Sequence, residues 1–164
     1  MRDGMPSTVG RKLLSGSVLR VGNLIAAAIA ALFLMPFIGG EVKAVFEELK
    51  PISPDLIFTH HRKDAHQDHR LISELTWNTF RDHFILEYEI PKYDGDLGQP
   101  NLFLPVGFEV CEQKVRYLMD AFESQRSKRW FQPETFLSLM RLRGMECNAP
   151  SGYAEAFYCR KLSL

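Results

Sequence analysis

From Glu41 onward the chain alternates between helix-period and strand-type apolar patterns. In "EVKAVFEELK", Val42, Val45, Phe46 and Leu49 recur at helical spacing with charges between them. This predicts an amphipathic helix closed by Pro51 and Pro54. "DLIFTH" is a short apolar run bounded by turn signals, the pattern of a strand buried on both faces of a parallel sheet. "QDHRLISELTWNTFRDH" predicts a second helix, with Leu71, Leu75 and Trp77 to Phe80 inward. Asp68 falls in its first turn, where the helix dipole favours a carboxylate. "FILEYEI" is aromatic and β-branched, hence a strand. "PKYDGDLGQPN" is a loop rich in Pro, Gly and Asp. "EVCEQKVRYLMDAF" and "PETFLSLMRLRG" predict two further helices, the latter with Pro133 in its first turn and Gly144 as its C-terminal cap. Arg141 and Arg143 flank Leu142 and are expected on a solvated or salt-bridged face. "GYAEAFYCRKL" alternates as a terminal strand. Helices and strands interleave without repeats, which defines the class as α/β.

An apolar run interrupts this picture near the start. Leu24 to Met35 is twelve residues without a polar side chain, preceded by Arg11, Lys12 and Arg20. Its length suits a signal-peptide core and is short for a membrane span. Residues 1–35 are therefore set apart as an atypical segment, signal-like or aberrant, and residues 36–164 as the domain. Net charge is zero, and the basic residues are scattered among acids, which argues against nucleic acid as a partner. The three cysteines, Cys111, Cys147 and Cys159, show no paired spacing, so a reducing, cytoplasmic compartment is expected. Membrane anchoring or export is the alternative if residues 11–40 act as a signal.

The chemistry concentrates in "PDLIFTHHRKDAHQDHR", which holds four of the five histidines and three aspartates. It sits between the end of a buried strand and the start of a helix, where open α/β sheets place their sites. Histidine with carboxylate suits Zn²⁺ or a similar ion. In "DAHQDH", Asp64, His66, Asp68 and His69 lie close enough for one imidazole to ligate, another to work on substrate and a carboxylate to orient them. The same stretch misses the HxHxDH signature of metallo-β-lactamases by one residue, since Asp64 stands where the first histidine belongs. The alternative is a polar helix-capping loop.

The stretch from "PDLIFTHHRKDAHQDHR" through "FILEYEIPKYDGDLGQPN", with the ending "FESQRSKRWFQPETFLSLMRLRGMECNAPSGYAEAFYCRK", resembles the PIG-L/LmbE-like family of zinc-dependent N-deacetylases. The resemblance covers roughly residues 36 to 164. It implies a Rossmann-like (LmbE-like) three-layer sandwich, incomplete at its N-terminus, and hydrolysis of an N-acetyl group from an N-acetylglucosamine-type sugar or conjugate. By the family pattern His69 ligates zinc, His66 is the catalytic histidine and Asp68 holds an imidazole in place. Arg62, Lys92, Tyr93 and Asp94 are the substrate-binding candidates. The family's first motif, which brings a His and an Asp to the metal and an adjacent Asp as base, is absent: no histidine precedes His60, and the only aspartate before Asp55 is Asp3. His60, His61 and Asp64 are neighbours on one loop, and the expectation is that they cannot readily surround an ion in its place. The isolated chain is accordingly expected to be an inactive partial deacetylase, or a non-catalytic sugar- or protein-binding remnant.

Overall fold

The computed structural model describes residues 39–162. The apolar run Leu24–Met35 lies outside them. No described helix is long and apolar enough to cross a membrane.

Helix α1 (Gly39–Leu49) leads into strand β1 (Ile57–His60), helix α2 (Gln67–Thr79) and strand β2 (Ile85–Tyr88). Strand β3 (Leu102–Pro105), helix α3 (Phe108–Ala121), helix α4 (Pro133–Glu146) and strand β4 (Ala154–Cys159) follow. The described sheet has four strands in the order β1-β2-β4-β3. β1 and β2 are parallel, joined by α2, whereas β4 runs antiparallel to both β2 and β3. The α/β expectation therefore holds, in a mixed sheet rather than a wholly parallel one. Strand β3 has no counterpart among the elements expected from the sequence. Leu102 and Phe103 are half-buried and Leu104 is exposed, and Pro105 ends it beside a single partner, the position in a sheet that tolerates proline.

The described core has two parts. Val42, Phe46, Ile57, Ile72, Phe80 and Ile85 join α1 and α2 to the parallel strand pair. Val42 and Phe46 are four residues apart and so share one helix face; Val45, on its flank, is exposed. Cys111, Val115, Phe131, Phe136 and Met140 form the second part between α3 and α4. Ile57 and Thr59 point to the α2 side of β1: Thr59 Oγ1 lies 3.0 Å from Thr76 Oγ1 of the helix. This tie holds α2 against β1, so that its first turn stands over the strand's carboxyl end.

Candidate metal centre

The site is built where β1 stops. His61 N–H still donates to Tyr88 O, at 3.0 Å, and then the chain turns, with Asp64 N–H donating to His61 O at the same distance. Asp64 Oδ1 accepts from His66 N–H at 2.8 Å, a side-chain turn typical of aspartate that ends the loop at the helix. His66 is the N-cap of α2, its Nδ1 accepting from Asp68 N–H at 3.3 Å. The histidine thus takes a role that Ser, Thr, Asp or Asn usually fills.

This geometry brings His60, Asp64 and His69 together, with one ligand-type atom from each lying within 4.8 Å of the others. These three residues could hold a metal ion. The expectation that residues of one loop cannot surround an ion is corrected here for His60 and Asp64. His60 belongs to the strand and His69 to the helix, and the connecting turn folds them face to face: the two rings stack at 3.9 Å. His61 does turn away. Its Nδ1 lies 3.0 Å from Glu87 Oε2, and its ring stacks on Tyr158 at 3.7 Å.

Each imidazole is oriented through one nitrogen. His69 Nδ1 lies 2.9 Å from Asp64 Oδ2, so a proton placed on Nδ1 leaves the Nε2 lone pair available. His60 Nε2 lies 3.3 Å from the Tyr88 hydroxyl, and its Nδ1 is buried without a partner in the described protein. A buried nitrogen of this kind is what a bound cation would satisfy. Two imidazoles and a carboxylate also match the donor chemistry of zinc. In kind, the residues fit.

Electrostatics follow from burial. His60 is 1% exposed, and burial, reinforced by the His69 ring, lowers its pKa from 6.5 to about 3. It is neutral and ready to donate a lone pair at neutral pH. For Asp64, burial opposes ionisation, but hydrogen bonds from His69 and from His66 N–H outweigh it and hold the carboxyl well below its ordinary range. Burial, then the charge on Asp64, raises the Tyr88 phenol, which stays protonated.

Between pH 6.5 and 3 the unfolded chain binds a proton at His60 that the folded protein refuses. Stability contributed by neutral His60 is therefore complete above pH 6.5 and is lost as pH falls, by about 2 kcal/mol at pH 5. In metal-free protein, His60→Phe should flatten this slope in urea titrations at successive pH values. An unchanged slope would show that burial of His60 is not its source.

The other expected residues divide. Lys92 joins the cluster, with Nζ 3.1 Å from Asp64 Oδ2 and 2.7 Å from Asp96 Oδ1. Burial works against its charge, but hydrogen bonds to Asp96 and Asp64 prevail and raise its pKa. His66 is exposed, its ring 4.6 Å from that of His69, and the Asp68 carboxylate stands 3.9 Å from His66 Nδ1. Tyr93 is exposed and pairs elsewhere: its hydroxyl accepts from Arg129 N–H at 3.2 Å, and its ring meets Trp130 edge-on. Arg62 and Asp94 are exposed; the Arg62 backbone N–H donates to Glu87 Oε2.

Two contributors escape a reading of the sequence. Asp96 stands there only as part of a loop, yet its Oδ2 accepts from Ala65 N–H at 2.6 Å. Glu87, fully buried in β2, gathers His61 Nδ1, Arg62 N–H and Trp77 Nε1–H, the last at 2.7 Å. The one sequence signal for Glu87 is a carboxylate inside an apolar strand, "FILEYEI", where a charge must find partners.

Fold and site together define an α/β protein with a histidine–aspartate cluster at the carboxyl end of a parallel strand. No family model matches the chain, and no curated protein matches it. Two solved structures share the fold. The conserved protein TT1542 from Thermus thermophilus aligns over 93% of this chain and 78% of its own, with a TM-score of 0.60 and 18% identity. GalB, the 4-carboxy-2-hydroxymuconate hydratase from Pseudomonas putida, aligns over 96% of this chain and 80% of its own, with a TM-score of 0.56 and 14% identity. At these identities the likeness establishes the fold alone.

Proposed function

We propose that the chain is a metal-dependent hydrolase of the PIG-L/LmbE type, with zinc held by His60, Asp64 and His69, acting on an N-acetylated amino sugar or its conjugate. One observation carries this reading: two histidines and an aspartate converge at the end of β1. That is the donor composition which the resemblance expects from His69 together with a first motif that this chain lacks. The Rossmann-like three-layer arrangement and a cytoplasmic setting belong to the same reading, the latter supported by three free cysteines.

When bound, zinc lowers the pKa of a coordinated water and polarises the acetamide carbonyl. The protein's own groups do the rest. Tyr88 fixes the His60 ring. His66, exposed at the mouth of the loop with Nδ1 tied to Asp68 N–H, has its other ring nitrogen available to carry a proton to the departing amine. Asp68, beside His66, positions that ring. Arg62, Tyr93 and Asp94 are exposed groups suited to hydroxyl-rich substrate, although Tyr93 already leans on Trp130.

Equilibrium dialysis against buffered zinc, followed by an assay for acetate released from N-acetylglucosamine derivatives, tests the reading. One zinc per chain is expected, with affinity weakened on the order of 100-fold or more by His69→Ala. Acetate release should disappear in His66→Ala while zinc stays bound. Failure to bind zinc would end the metal reading. Zinc bound without any acetate release would leave a sugar- or protein-binding module, the remnant alternative.

A further inference from the structure

We propose that Lys92 is the built-in counter-cation of the histidine–aspartate cluster, so that the Lys92–Asp64 ion pair and a divalent ion at the cluster exclude each other. The inference rests on the reading of His60, Asp64 and His69 as a metal centre, and it adds how loading of that centre is controlled.

Asp64 has no idle oxygen. Oδ1 is committed to His66 N–H, and Oδ2 is shared between His69 Nδ1 at 2.9 Å and Lys92 Nζ at 3.1 Å. Of these partners only the ammonium competes with a metal, because both are cations seeking the same carboxylate. The backbone N–H is fixed by the turn, and His69 is itself one of the three donors that a metal would gather beside Asp64. Lys92 is held where it competes. Its side chain is 7% exposed, and Nζ also binds both oxygens of Asp96, at 2.5 and 2.7 Å.

The charge count gives the reason for a resident cation. The side chains of Asp64 and Asp96 are 3% and 13% exposed, and both face Lys92. With the imidazoles neutral, removing the ammonium leaves two buried carboxylates with nothing between them. A cation belongs there. At Asp64 either the lysine supplies it or a divalent ion does, and an ion there leaves the ammonium to Asp96 alone.

The pairing also has a mechanical side. Asp96 Oδ2 accepts from Ala65 N–H, the residue after Asp64, so Lys92 and Asp96 strap the β2–β3 loop onto the β1–α2 loop. When Lys92 lets go of Asp64 it keeps Asp96 as its partner, and the strap loosens from the cluster at one point only. The loop that carries Tyr93 and Asp94 is thereby coupled to the state of the site.

The test is zinc affinity of wild type, Lys92→Met and Lys92→Arg, measured by competition with a chromogenic chelator. Lys92→Met, which keeps the stem and removes the charge, should bind zinc at least about tenfold more tightly. Lys92→Arg keeps the charge and should stay within a few-fold of wild type. A merely structural salt bridge predicts the reverse, with Lys92→Met binding zinc no better or worse than wild type. Wild type that binds zinc alongside a Lys92→Met variant that binds no tighter overturns this proposal alone. If neither protein takes up zinc, the metal reading falls and this proposal with it. Should Lys92→Met fail to fold, acetic anhydride labelling of wild type at fixed pH replaces it. Zinc should raise modification of Lys92 several-fold, and unchanged modification would overturn the exclusion.

Discussion

Gly144→Ala is expected to destabilise the protein by at least about 4 kcal/mol, enough to unfold much of a marginally stable domain at ambient temperature. A Cβ at this position would stand 2.2 Å from Gly152 O, 2.4 Å from Gly152 C and 2.5 Å from Tyr153 N. These are backbone atoms at the entry to β4, and no rotamer change relieves the overlap. Either α4 moves off the sheet or β4 shifts in its pairing with β2 and β3. The sequence pattern suggests Gly144 as the cap at the end of the helix. Instead it lies inside α4, buried, with Cys147 as the cap residue and Asn148 at φ 52° turning the chain away. The glycine serves close approach of two backbones, and Asn148 serves the turn. Thermal unfolding of Gly144→Ala beside an exposed control, Leu142→Ala, would measure the difference. A variant within about 1 kcal/mol of wild type, on the order of a surface change, would show that the contact with residues 152–153 is dispensable.

The second large effect is at Arg143, one residue earlier. Its guanidinium donates to Glu89 Oε2 at 2.6 Å, to Gly98 O at 3.0 Å and to both oxygens of Glu146 at 2.8 Å. Glu89 in turn accepts from the Tyr158 hydroxyl at 2.6 Å and from Gly98 N–H at 2.7 Å. Arg143 is therefore the centre of a buried network linking α4, β4 and the β2–β3 loop. Arg143→Met preserves length and removes the charge, leaving Glu89 buried with neutral donors alone. The expected cost is about 3–5 kcal/mol. The double variant with Glu89→Gln should cost clearly less than the sum of the two singles, because the stranded charge is gone. Denaturant midpoints for the three variants give the comparison. Strict additivity would mean that Arg143 and Glu89 do not depend on one another.

Arg143 also marks where the sequence stops being informative. Read locally, "MRLRG" is a solvated or salt-bridged helix face; Arg141 is exposed, and Arg143 is salt-bridged but buried. What buries Arg143 is Glu89, 54 positions earlier in the chain. No local pattern carries that pairing. The same holds for the site. Its β1 strand, loop and α2 helix are legible, because apolar period, a turn-forming aspartate and a first-turn acid act over a few residues. The position of His66, Asp68 and His69 at the start of α2 follows from those local signals. Lys92 stands out in the sequence as a substrate contact, and only its contact with Asp64, 28 positions away, reveals it as part of the cluster. His60 is easily undervalued, because the sequence places it on one loop with Asp64, whereas the strand end and the helix start bring it and His69 into a stacked pair. β3 is easily passed over because its apolar run, "LFLPV", is short and is broken by Pro105.

The strand order has a consequence for how the chain assembles. β4 lies between β2 and β3, yet it is the last of the four to be made. On the ribosome, β1, α2 and β2 emerge first and can pair at once as a local unit. β3 must then wait, because its only partner among the described strands is made later. Tyr158, which completes the Glu89 network, arrives with that same late strand. The nascent protein thus makes the residues of its histidine cluster well before the strand that joins β3 to the rest of the described sheet.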